Sequence, residues 1–127
     1  MKRFIPVFLM FFLLTSCITQ QVGLKQKERE LWNKPPDLTK VVYTGGDGIT
    51  IEKAIVIKEA GNERNGVAAE YDFIAKKYGV KFVDWKPGVQ STFEEKGKRY
   101  DSVNIQTIPK NETIRFYFDI TDFYGKW

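Results

Sequence analysis

"TIRFYFDI", Thr113 to Ile120, is the stretch on which the fold turns. Ile114, Phe116, Phe118 and Ile120 alternate with Arg115, Tyr117 and Asp119, a period of two that lays an apolar row on one face of a strand. Just upstream, "PKNE" (Pro109–Glu112) is turn chemistry, and Tyr100 to Ile108 alternates again with Val103, Ile105 and Thr107 on one side. "EKGK" (Glu95–Lys98) reads as a hairpin turn with Gly97 at a positive φ, entered from "VKFVDW", "KPG" and "VQSTFEE". Two successive hairpins predict a three-stranded antiparallel meander whose apolar face needs a cover.

The cover lies upstream. Val67, Tyr71, Ile74, Ala75 and Tyr78 recur on one stripe and predict a helix from about Gly66 to Tyr78. Asn65 is placed to cap its start, Lys76 and Lys77 suit the dipole at its end, and Gly79 is placed to stop it. Before the helix, Val41–Tyr43 and Ala54–Lys58 ("AIVIK") are β-prone, separated by the turn residues "TGGDG". A phosphate-binding loop is a poor fit there, because a strand rather than a helix N-terminus follows. Phe82, Phe116, Phe118 and Phe123 are assigned to the core, with Thr121 capping the last turn. The expected class is therefore α+β: one amphipathic helix on a small antiparallel sheet, in the order strand, helix, then a three-strand meander, over residues 41–127.

The other end of the chain has a different character. Lys2 and Arg3 precede an uncharged apolar run, Phe4 to Leu14, too short to span a membrane and suited to a signal peptide over residues 1–16. It closes on "LTSC" with the lone cysteine of the chain, Cys17. This arrangement resembles the lipobox of bacterial lipoproteins. The resemblance implies cleavage before Cys17, acyl chains on Cys17 and attachment to a membrane in the cell envelope. The membrane would be the outer membrane, facing the periplasm, in a Gram-negative host; otherwise the outer face of the cell membrane. Without the leader, 18 basic face 16 acidic residues, so the net charge falls from +4 to +2 and gives no case for nucleic acid. Residues 17–40 read as a lipidated N-terminus and polar tether, in which "LKQKERELW" can form a short helix and Trp32 can dock. Pro35–Pro36 ends that helix.

Catalytic chemistry has little to work with. Histidine is absent, and the single thiol is assigned to the anchor. No cofactor or metal site is expected, and Asp119, Asp122, Glu94 and Glu95 are the carboxylates that could pair. Beyond the leader remain six Phe, six Tyr and three Trp. Trp85, Tyr100, Tyr117, Tyr124 and Trp127 are the candidates for a recognition surface, because Tyr and Trp suit sites that are half apolar and half wet. "GGDG", "EKAIVI", "AEYDFIAKKYG", "YDSV" and "YFDITDFYGK" together resemble a small domain of uncharacterised bacterial lipoproteins, which implies a shared fold and carries no activity. The expected function is a lipid-anchored, non-catalytic binding module for an envelope protein or peptide, of the immunity-protein kind. The alternative is a small hydrolase or glycan-processing enzyme.

Overall fold

The structure is a computed structural model and describes residues 21–30 and 33–127. The chain divides into two compact units, residues 1–35 and 36–127. Of the first, residues 21–30 form a helix, α1, with every residue exposed. Cys17, the leader and Trp32 lie outside the described residues. The second unit starts at Pro36, ahead of the expected Val41, because Leu38 and Val41 already pack against its core.

That unit contains β1 (Val42–Gly45), β2 (Ile55–Lys58), α2 (Glu63–Tyr78), β3 (Trp85–Glu95), β4 (Lys98–Thr107) and β5 (Thr113–Asp119). The meander forms as its alternation requires: β3 pairs with β4 and β4 with β5, both antiparallel. Glu95 sits opposite Lys98, so Lys96 and Gly97 make a two-residue turn, with φ of 50° and 77°. Positive φ at both positions gives the twist that matches right-handed strands. The five strands run in the order β1-β2-β5-β4-β3. The class is α+β, and the sheet is mixed, since β2 runs parallel to β5 through Ile55↔Phe118 and Val56↔Asp119. "TGGDG" is a structural turn closing the β1–β2 hairpin. A Cβ on Gly46 would meet the Lys53 backbone at 2.6 Å, and the Gly48 carbonyl accepts a bond from the Tyr117 amide.

Three sequence expectations change at the helix and beyond it. The helix begins at Glu63, and its cap is Asn62, whose side chain accepts from the Asn65 amide. Asn65 instead ties the chain on either side, giving Nδ2 to the Ala60 carbonyl and accepting the Asp37 amide. The buried face is Gly66, Ala69, Glu70 and Ile74, with Val67 exposed and Tyr71, Ala75 and Tyr78 at its margin. The reason is close approach: a Cβ on Gly66 would lie 2.4 Å from the Phe123 ring, so a glycine lets the final turn press against the helix. Lastly, Phe82 is 69 % exposed, whereas Trp85 is fully buried, the reverse of the expected assignment. Phe116, Phe118 and Phe123 are core residues.

Candidate functional site

The apolar row of β4 does not begin with an apolar residue. Asp101 shares its face with Val103 and Ile105, and it is 3 % exposed. From the helix, Glu70 occupies the same interior with no exposure at all. Two bonds tie Asp101 to the edge strand: Gln90 donates its amide to Oδ2 at 3.1 Å and Thr92 its hydroxyl to Oδ1 at 2.5 Å. Gln90 also reaches Glu70 Oε2 at 3.5 Å and accepts the Tyr71 hydroxyl at 3.1 Å. Glu70 Oε1 has no donor of its own. Burial pushes the Glu70 carboxyl well above its ordinary range, and the hydrogen bond and charge of Asp101 push the same way. Burial beside Asp101 thus favours the protonated form of Glu70. The pair makes a polar bolt between α2 and the β3–β4 hairpin.

Asp101 and its donors Gln90 and Thr92 line a cleft of about 220 Å³, together with Glu63, Val67, Ile120, Phe123 and Tyr124. Ile120 and Phe123 give it an apolar side, and two of its five polar side chains, Glu63 and Asp101, are carboxylates. The Glu63 carboxylate already takes the Gly125 amide, which fixes the final turn at the rim. Tyr124 is 42 % exposed, and the Arg99 guanidinium lies 4.7 Å from its ring centre, steadied by Glu94 at 3.2 Å. The cleft thus brings two carboxylates, an apolar side and the Arg99 cation near its rim together.

The five aromatic candidates separate into four places. Trp85 is a correction: it stacks on Tyr71 inside the domain (ring centres 6.2 Å apart) and donates Nε1–H to the Gly79 carbonyl, so it presents no surface. Tyr100, at 9 % exposure, is likewise mostly buried, and it meets Tyr117 through Phe93, which stacks on Tyr100 and meets Tyr117 edge-on. Strand alternation puts this trio on the sheet face opposite α2. Tyr124 belongs to the cleft rim, and Trp127 is 91 % exposed at the end of the chain.

The carboxylates expected to pair do not meet. Asp119 is 7 % exposed and accepts the Thr121 hydroxyl and amide, with Lys98 at 3.8 Å. Asp122 accepts the Glu59 amide, and Glu94 pairs with Arg99. Sequence reasoning passed over Glu70 and Asp101, the pair that does meet. The signal for Asp101 is its phase: counting back by two from Ile105 and Val103 reaches it.

No protein-family model, no curated protein and no solved structure matches the chain.

Proposed function

We propose that the protein is a lipid-anchored cell-envelope lipoprotein whose second unit is a non-catalytic binding module. In this reading Cys17 carries the acyl chains, residues 18–35 form the tether, and the cleft at Tyr124 receives a basic group of a protein or peptide partner. The anchoring half is supported by "LTSC" after a short apolar leader with a basic start. The binding half rests on one observation: a cleft with two carboxylates, an apolar side and a solvent-exposed tyrosine on its rim. An immunity-type role, blocking a basic partner, fits that chemistry. Burial weighs against the competing hydrolase reading, since Glu70 would have to leave the interior to reach a substrate, and Asp119, Asp122 and Glu94 are engaged separately.

The experiment is site-specific photo-crosslinking in cells, with the reactive group at position 124 or, as a control, at the exposed position 53. A partner crosslinked from 124 and not from 53 is expected, competed by a lysine-rich peptide. Tyr124→Ala with Trp127→Ala should weaken that partner's binding by roughly tenfold or more, as aromatic interface residues do. Equal crosslinking from both positions would sink the cleft assignment. Anchoring is tested on its own, by loss of lipid labelling in Cys17→Ala.

A further inference from the structure

At the C-terminal end of α2 the chain turns through Val80–Asp84 before entering β3. Val80, Phe82 and Val83 are 61, 69 and 64 % exposed, and Ile108 joins them at 41 %, its amide bonded to the Asp84 carbonyl. Three of these four apolar side chains stand in one five-residue turn. Phe82 also has a φ of 66°, a left-handed conformation that a bulky side chain rarely adopts. The turn is firmly held: the Phe82 amide donates to the Trp85 carbonyl, and the Val80 amide to Asp84 Oδ2 at 2.7 Å. A position that would fold more easily as Asn or Gly thus holds a phenylalanine and turns it to solvent. One lysine lies over it and two more are close in the chain. The Lys81 ammonium lies 5.3 Å from the Phe82 ring centre, Lys86 follows at the start of β3, and Lys110 follows Ile108. Asp84 and Glu112 are the acids nearby in the chain, and the first is already occupied by the Val80 amide.

Exposed apolar tips within a basic rim match a bilayer interface, where the tips enter the acyl boundary and ammonium groups meet anionic headgroups. We propose that the Val80–Asp84 turn docks the domain on a membrane containing anionic phospholipid, inserting Phe82 and Val83. The proposal rests on the lipoprotein reading for its membrane, and it adds an orientation. The 16 residues of α2 span about 24 Å, with the turn at one end and the cleft rim, at Glu63, at the other. Docking by the turn points the cleft away from the bilayer, toward a partner in the aqueous space. The incoming chain attaches at Asn65, the far end of the helix, so the acyl anchor alone does not impose this contact.

The test uses the mature lipidated protein in vesicles of phosphatidylglycerol and phosphatidylethanolamine. The acylated Cys17 has no free thiol, so Phe82→Cys and, as control, Lys53→Cys at an exposed position outside the cleft each accept one nitroxide label. The label at 82 should collide several-fold less often with an aqueous nickel chelate than the label at 53, and Lys81→Glu with Lys86→Glu should abolish that protection. Equal collision rates at the two positions overturn the proposal. Protection that arises only when envelope proteins are added assigns the turn to a protein partner and overturns it too. A second measurement is independent of acylation: the mature sequence made without leader and with Cys17→Ser, sedimented with phosphatidylglycerol vesicles. Phe82→Asp should lower its binding by roughly tenfold. Equal sedimentation of that variant and its parent counts against docking. If Cys17 proves unacylated, the anchoring reading falls and this second measurement decides the turn by itself.

Discussion

The two ends of α2 break the usual partition of side chains in opposite senses. From its start to its midpoint, acids are buried: Asp101 lines the cleft with Ile120 and Phe123, and Glu70, halfway along α2, has no exposure. Beyond its finish, apolar groups are exposed: Val80, Phe82 and Val83 face solvent beside Lys81. Each inversion carries a cost, desolvation at one end and strain with apolar exposure at the other, and folding alone asks for neither. Around Glu70, the apolar residues Ala69, Phe73 and Ile74 pack against the sheet as an ordinary core. The contrast teaches where to look for function: at the ends of the packed layer, on either side of a conventional core.

The largest blow to the comparison falls on the cleft end. Phe123→Ala removes a buried ring that packs on Gly66 and lines the cleft. It should cost about 3–5 kcal/mol in denaturant unfolding, as large-to-small core changes do. A loss below about 1 kcal/mol would mean that the final turn is only loosely held against the helix.

Glu70→Gln tests the buried pair. Burial and Asp101 raise the Glu70 carboxyl, so the folded chain favours its protonated form above the ordinary carboxylate range, where the unfolded chain ionises. Stability should therefore fall as pH rises, by at most about 1.4 kcal/mol per unit from this group, until Glu70 itself ionises. The glutamine amide can still donate to Asp101 without ionising, so the variant should lose that slope and be the more stable form at neutral pH. Parallel stability–pH curves for variant and parent would refute the raised Glu70 carboxyl. Asp72 acts in the opposite sense and in a more acidic range. Burial raises its carboxyl, but the bonds from Lys76 and Tyr43 outweigh this and hold it low, so its contribution disappears on acidification.

The smallest effect belongs to the other end. Phe82→Asn suits the left-handed backbone and exposes no new apolar surface, so stability should stay level or rise by up to about 1 kcal/mol. Membrane docking should nevertheless be lost, measured in the same vesicles. A clear destabilisation would show that Phe82 supports the fold and would remove half of the contrast between the two ends.

How much of this was legible depends on how local each feature is. The meander could be read from "TIRFYFDI" and "EKGK", because period-two alternation and a two-residue turn fix register within a dozen residues. The parallel β2–β5 pair joins segments some sixty residues apart, and no local pattern announces it. The helix was visible, but its buried face was misread. Gly66 and Ala69 bury through smallness rather than hydrophobicity, and Glu70 is an acid on the buried side that an apolar stripe does not mark. Trp85 and Phe82 exchanged roles because the turn between them depends on bonds from Val80 to Asp84 and from Phe82 to Trp85.

The sequence by itself determined the α+β class, the hairpins, the stop at Gly79 and the resemblance of "LTSC" to an anchoring signal, because each follows from neighbours in the chain. Tertiary structure alone decided which acids meet, which aromatics are buried and where the cleft opens. Those outcomes depend on how closely a helix can approach a sheet, and that distance is set by Gly66, Phe123 and the final turn acting together.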